Sequence, residues 1–223
     1  MKRVPEPELM EGHQQAKAYA QVDFEAPHSR FIELLGQSHP ELQTQGLAVD
    51  FGCGPGDITL RFARAYPGWR AHGIDGSGVM LELARQIAAR EGLQEQVGFI
   101  QSHLPRADAP TQLYDLVLCN GTLHHFDDPA VLWYSTRQWG RPGAALFVMD
   151  LLRPRDLEQA HQLVEQYASK EPPIHQEDFF NSLLASYTVD EVREQIHGAG
   201  LDQLHAEQVS DRHVMVSGHL PVA

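Results

Sequence analysis

Cysteine is scarce in this chain: two residues, Cys53 and Cys119, among 223. Two thiols build neither a disulfide scaffold nor a zinc cage. Each falls at the end of an apolar run, where a small buried thiol is the expected role. Basic charge is also short, with 17 Lys and Arg against 30 Asp and Glu and a formal net charge of −13. A surface of that sign repels phosphate backbones and anionic membranes unless a basic patch intervenes. The arginines are scattered, with only Arg153 and Arg155 within two positions of each other, so neither nucleic acid nor membrane is an expected partner. No apolar run approaches the ~20 residues that cross a bilayer. The polar opening of the chain is unlike a secretory leader, which makes the cytoplasm the expected location. None of the 13 histidines has His-x-x-x-His spacing and no Cys-x-x-Cys occurs, so no metal is expected from local spacing.

What is present is an alternation of strand-like and helix-like runs. Residues 47–51 form a short apolar run ending in glycines. Residues 58–66 carry Ile58, Phe62 and Ala65 at helical spacing and stop at Pro67-Gly68. Further strands are predicted over 70–74, 97–100, 113–119 and 144–149, with helices over 79–90 and 128–138 and a turn at Gly140-Arg141-Pro142-Gly143. Strands alternating with helices imply βαβ units and a parallel sheet, with ligands at the carboxyl ends of the strands.

Before this core, Tyr19, Phe24, Phe31, Leu34 and Leu35 fit two short amphipathic helices divided at Pro27. After it, residues 151–187 lack strand-like runs but hold helical stretches around 157–168 and 177–184. Thr188-Val189-Asp190-Glu191 reads as a capping box opening a helix to Gly198. Residues 201–209 and 213–220 read as an antiparallel pair. The expected fold is therefore α/β: a Rossmann-like, seven-stranded, mostly parallel sheet with an antiparallel C-terminal edge hairpin and helices on both faces. The expected divisions are an N-terminal helical lid (1–45), a ligand-binding core (46–150), a helical cap inserted after strand five (151–187), and a helix and edge strands that complete the core (188–223).

The chemistry concentrates in Asp50-Phe51-Gly52-Cys53-Gly54-Pro55-Gly56. Glycines there let backbone approach a ligand, and the following helix turns its amide-rich start to the same space. A NAD loop would need Gly-x-Gly-x-x-Gly, but the position of the last glycine is Asp57. Asp75, ending strand two, is placed to accept from both ribose hydroxyls of an adenosine ligand, with Ser77 its rival as helix cap.

These residues resemble the class I methyltransferases that use S-adenosylmethionine (SAM). Residues 49–56 resemble the family's first motif and 73–81 its second. Residues 114–126 resemble the stretch around strand four, 141–144 the turn before strand five, and 187–191 with 199–201 the last helix. The resemblance implies SAM as methyl donor and S-adenosylhomocysteine as product. It implies that Gly52, Cys53, Gly54 and Gly56 line the methionine half, with Asp50 orienting the loop and the ligand's amino group. Asp75 would bind the ribose, Gly76 and Met80 would lie near the adenosine, and Asn120 near the sulfonium. Where the family often shows Gly-Asp-Ala, this chain has Ser102-His103-Leu104, which leaves the adenine to the Leu104 amide and to either the His103 imidazole or water.

His124 and His125 follow strand four near the expected methyl and are the candidate bases. Tyr19, Phe24, Asp150, Phe179 and Tyr187 are the candidate acceptor contacts, with Asp178, Phe180 and Asp211-Arg212-His213 as further candidates. The implied activity is methyl transfer to a small molecule whose accepting atom (O, N, C or S) the sequence leaves open. A homodimer is left open too. The alternatives are a SAM-modifying enzyme of the carboxymethyl-SAM synthase type, which would favour an Arg for an acidic co-substrate, and a non-catalytic SAM-binding partner subunit.

Overall fold

The computed structural model describes residues 1–6, 24–105 and 112–222. One seven-stranded sheet organises them in the order β3-β2-β1-β4-β5-β7-β6. The strands are β1 (Gly46–Phe51), β2 (Trp69–Asp75), β3 (Val97–Gln101), β4 (Tyr114–Asn120), β5 (Gly140–Leu151), β6 (His205–Gln208) and β7 (His213–His219). The first five pair in parallel, and β7 runs antiparallel to both β5 and β6. The chain winds outward from β1 through β2 to β3, then returns to lay β4 on the other side of β1. That reversal opens a crevice beyond the carboxyl ends of β1 and β4, where such sheets take their ligands.

Seven α-helices are described: α1 (Glu25–Ser38), α2 (Asp57–Ala65), α3 (Gly78–Glu91), α4 (Ala130–Trp139), α5 (Leu157–Ala168), α6 (Pro173–Ala185) and α7 (Val189–Gly198). One face of the sheet buries Phe31 and Leu35 of α1 with Leu60 and Phe62 of α2. The other buries Leu132, Trp133 and Trp139 of α4 with Val192 and Ile196 of α7. Burying each such side chain stabilises by roughly 1.5–3 kcal/mol, and helices on both faces explain why the inner strands are apolar throughout. Helix ends follow local chemistry. Ser77 caps α3 by accepting from the Met80 amide at 3.4 Å, and Gly92 closes it in the left-handed conformation (φ 72°). Thr188 and Glu191 form a reciprocal capping box on α7. No helix among the described residues is long and apolar enough to cross a membrane.

Four sequence expectations shift. Pro27 does not divide two helices; it sits in the first turn of α1, where a missing N–H breaks no helical bond. Gly140–Gly143 is not a free turn. Gly140 pairs with Tyr114, and the register shifts before Leu116 meets Ala145, so the glycines form an irregularity inside β5. Helix α6 begins at Pro173, four residues before the expected start, because proline suits the first helical position. Residues 201–204 are not strand: Leu201 and Leu204 are buried in a turn, and β6 begins at His205.

The segment 1–6 straps the turn after β4 to the end of α6. The Val4 amide donates to the Leu184 carbonyl at 2.9 Å. Arg3 donates to the carbonyls of His124 (2.8 Å), Phe126 (3.0 Å) and Ala185 (2.5 Å) and stacks 4.4 Å over the Tyr187 ring.

Candidate active site

A cavity of about 340 Å³ fills the crevice, within the range of small-molecule sites. The loop after β1 forms its floor. The amides of Gly52 and Cys53 donate to the Ile74 carbonyl, at 2.8 and 3.1 Å, which folds the loop back over β2. The three glycines differ in purpose. A Cβ at Gly52 (φ 67°) would lie 2.2 Å from Thr122 Oγ1, so this glycine admits the turn that follows β4. A Cβ at Gly56 would press on Ala84 and the Phe99 ring at 3.0 Å, so it admits packing of α2 against α3 and β3. At Gly54 (φ 52°) a Cβ would meet nothing within 4 Å; the space there is the cavity itself.

Asp75 closes one side. Its Oδ2 accepts from the Gly54 amide (2.9 Å) and its Oδ1 from the Ser77 amide (2.7 Å). Each oxygen retains a lone pair for a ligand hydroxyl. Burial pushes this carboxyl up, against those two hydrogen bonds. Asp50 is buried beneath the loop and accepts from Thr59 Oγ1 at 2.6 Å. Burial pushes Asp50 up to about 7; the Thr59 bond opposes this and the neighbouring acids Asp75 and Asp57 add to it. A buried acid lining a cavity calls for a cationic partner.

Cys53, Gly76, Met80, Ser102, His103, Leu104 and Asn120 also line the cavity, as do Phe24 and His125. The structure thus brings most of the expected cofactor residues to one cavity. Gly56 is the exception, because it packs rather than lines. Burial raises the Cys53 thiol well above its ordinary value, which leaves it an inert wall.

The two histidines part company. They occupy a single 3-10 turn, Leu123–His125. Asp150, expected to touch the acceptor, is instead buried behind this turn. It accepts from the amides of Leu123 and Leu151 (both 2.6 Å) and from His124 Nδ1 at 2.5 Å. His124 Nε2 lies 3.3 Å from Glu6 Oε1. Burial alone would push the His124 imidazole down; the carboxylates of Asp150 and Glu6 overcome that and hold it up at about 9. A cation held on both nitrogens has no lone pair with which to act as a base. His125 lines the cavity. Burial and the neighbouring His124 charge push it down to about 4, so it is neutral at pH 7 and able to take a proton.

The other expected acceptor residues scatter. Phe24 lines the cavity and stacks on His28 (centroids 5.0 Å apart). Tyr187 is buried beside the cavity, donating from its hydroxyl to the Phe126 carbonyl at 3.0 Å. Asp178, Phe179 and Phe180 lie half-buried on α6 and do not line the cavity. Asp211 and Arg212 instead engage Tyr167 through its hydroxyl (2.7 Å) and ring (3.3 Å). Tyr19 lies outside the described residues.

Sequence reasoning missed Arg3, Glu6, His28 and Thr122. His28 Nδ1 pairs with Asp57 Oδ2 at 2.6 Å, on the cavity wall. Thr122 Oγ1 stands 3.1 Å from the Asn120 carbonyl and 3.3 Å from that of Gly52, tying the two loops together. Only Asp57, marked by its departure from the NAD pattern, carried a local signal.

Comparison with known proteins agrees with this geometry. Residues 48–143 match a family model described as a methyltransferase domain. A trans-aconitate 2-methyltransferase of Azoarcus sp. is 32% identical over 126 residues, covering 56% of this chain and 46% of that one. A ubiquinone biosynthesis O-methyltransferase of Serratia proteamaculans is 31% identical over 147 residues, covering 58% and 59%. The first relatives are matched over about half their length, at 46%, 53% and 50%. Among solved structures, a putative SAM-dependent methyltransferase of Methanococcus maripaludis superposes with a TM-score of 0.70 at 16% identity, covering 98% of this chain and 97% of that one. A plantazolicin methyltransferase in complex with S-adenosylhomocysteine superposes at 0.69 and 15%, covering 93% and 90%. At these identities the structures attest the fold.

Proposed function

We propose that this chain, whose residues 48–143 match a methyltransferase-domain model, transfers the methyl group of SAM to an oxygen atom of a small molecule. The observation that carries the reading is the pairing of Gly54, whose left-handed backbone faces open cavity, with Asp75, whose carboxylate is fixed by the Gly54 and Ser77 amides. In this reading the ribose hydroxyls donate to Asp75, and the ammonium and sulfonium sit over the buried carboxyl of Asp50. Gly52, Gly54 and Cys53 pass under the methionine half, and Gly76, Met80, Ser102, His103 and Leu104 enclose the adenosine. Asn120 borders the sulfonium. The acceptor enters between Phe24 and His28 on one side and His125 and Phe126 on the other, with residues 151–187 as a cap. The oxygen acceptor is suggested by the relatives, whose names specify O-methylation in the ubiquinone and malonyl-carrier cases.

The acceptor oxygen attacks the methyl carbon in line, the carbon–sulfur bond breaks, and neutral S-adenosylhomocysteine leaves. SAM arrives activated, so alignment supplies most of the acceleration, up to ~7–11 kcal/mol in well-oriented reactions. A hydroxyl acceptor gives its proton to neutral His125, while His124, held by Asp150, positions the turn. The net charge of −13 favours a small acceptor over nucleic acid, and two buried free thiols suit the cytoplasm. A SAM-modifying reaction on an acidic co-substrate would call for a free arginine. Among the described residues, the two arginines that line the cavity are already engaged, Arg61 by Glu25 and Asp57 and Arg64 by Glu91.

Calorimetric titration with SAM, then a metabolite screen with methyl-labelled SAM, tests the proposal. Wild-type protein binds SAM and S-adenosylhomocysteine, and Asp75→Asn weakens both at least tenfold. A folded wild type that binds neither overturns it, and binding without label transfer to any metabolite favours a partner-subunit role.

A further inference from the structure

We propose that Glu6, His124 and His125 form a binding site for one divalent first-row transition-metal ion, of which zinc is the reference case. Glu6 Oε1 lies 3.3 Å from His124 Nε2 and 3.3 Å from His125 Nδ1, and all three atoms fall within 4.8 Å of one another. Those two separations are long for a buried charge-assisted hydrogen bond, which runs ~2.7–2.9 Å. They match the edge of a tetrahedron around an ion with bonds of ~2.0–2.1 Å, about 3.3–3.4 Å.

Three further observations point the same way. His125 Nδ1 is buried with no hydrogen-bond partner, although a carboxylate oxygen stands 3.3 Å away, so this nitrogen is available to an ion held between the two. His124 is oriented by Asp150, which takes its Nδ1–H at 2.5 Å, so that Nε2 is the ligand atom once an ion displaces its proton towards Glu6. This carboxylate–histidine arrangement is the usual support of a metal-bound imidazole. Glu6 is itself fixed, accepting from Ser182 Oγ at 2.9 Å, while Arg3 grips the backbone of the turn at His124 and Phe126. The ligands are thus held in place before an ion arrives.

Two imidazoles and one carboxylate are a donor set that leaves coordination positions open. His125 also lines the cavity, so those positions would be filled by water or by an oxygen from the acceptor side. The site stands on its own geometry and does not depend on the methyl-transfer reading. With the ion bound, His125 is a ligand rather than a base, and polarising the acceptor oxygen falls to the metal. A second cluster, His39, Glu41 and His219, also brings three ligand atoms within 4.8 Å. Two of its members are exposed, and it serves as the internal comparison.

The test strips the full chain with a chelator and titrates it with zinc by calorimetry, then with cobalt(II) while recording visible absorption. One ion per chain is expected, with a tetrahedral cobalt spectrum. Glu6→Gln and His125→Gln should each weaken zinc binding at least 100-fold, and Asp150→Asn about 10–100-fold. SAM binding, measured on the same preparations, should be retained by Glu6→Gln and so report its folding. Absence of stoichiometric binding to wild type overturns the proposal. So does binding that survives Glu6→Gln and His125→Gln but is lost in Glu41→Gln.

Discussion

Asp50 lies buried under the glycine loop, with burial pushing its carboxyl up to about 7, and SAM would bring an ammonium and a sulfonium to the cavity it lines. Binding such a ligand must favour the carboxylate over the carboxylic acid, so affinity and protonation are linked. Below pH 7 the unliganded protein holds a proton on Asp50 that the ligand has to displace. Each pH unit below 7 therefore costs about tenfold in affinity, or ~1.4 kcal/mol. Two units, at pH 5, cost roughly 100-fold. Affinity should rise from pH 5 to pH 7, level off, and fall again above ~8 as the ligand's own α-amino group loses its charge. For the unliganded fold the sign is reversed. A carboxyl whose folded pKa lies above its unfolded value of ~3.9 stabilises fully below that value, and the stability is lost as pH rises towards 7, by at most ~4 kcal/mol. Calorimetry of SAM binding at pH 6 in two buffers of different ionisation enthalpy should reveal close to one proton released. S-adenosylhomocysteine, which keeps the ammonium, should show the same acid limb, and adenosine, which lacks it, should show none. Asp50→Asn should abolish the limb while raising the melting temperature at pH 8. A wild type that releases no proton at pH 6, or an Asp50→Asn variant that keeps the acid limb, would refute the linkage.

Four further expectations follow from particular contacts. Gly52→Ala places a Cβ 2.2 Å from Thr122 Oγ1 and should lower the melting temperature by roughly 5–10 °C, since ~1 kcal/mol moves a domain of this size by about 2–4 °C. Gly54→Ala meets no atom within 4 Å and should cost only the ~1–2 kcal/mol of a left-handed backbone, yet weaken SAM binding at least tenfold; equal thermal losses in the two variants would contradict the division of labour between them. Thr188→Ala removes the capping box of α7, a loss of about 1 kcal/mol, and scanning calorimetry should find a drop of about 2–4 °C with an unchanged SAM Kd. Arg3→Ala frees the turn that carries His125 and should lower kcat about 10–100-fold with SAM affinity unchanged, and Arg3→Lys should not restore it, because an ammonium cannot span three carbonyls as the guanidinium does.

The parts of this molecule that repeat locally were legible in its sequence. The alternation of strands and helices, the glycine loop, Asp75 and the Thr188–Glu191 capping box each depend on residues a few positions apart, and the fold retained them. Pattern failed where the tertiary context overrode it. Gly140–Gly143 has turn chemistry, but the ladder with β4 reaches Gly140. Asp150 ends a strand at the right edge of the crevice, yet its side chain turns inward to the Leu123 and Leu151 amides. The double histidine gave no hint that one ring is held between two carboxylates, because Glu6 lies more than a hundred residues away and no spacing links them. The same separation hid the ligand set of Glu6, His124 and His125 from a search for local metal motifs.

The strap of residues 1–6 reaches the turn at His124 by hydrogen bonds and one ring contact rather than through a buried apolar face; Val4 is 53% exposed. Segments held in this way open with little exposure of apolar surface and come from the low-stability end of a protein. Mild denaturant should therefore release the turn that carries His124 and His125 while the sheet is intact, and inactivation should precede unfolding. A variant selected for a high melting temperature alone could be thoroughly folded and yet disarmed.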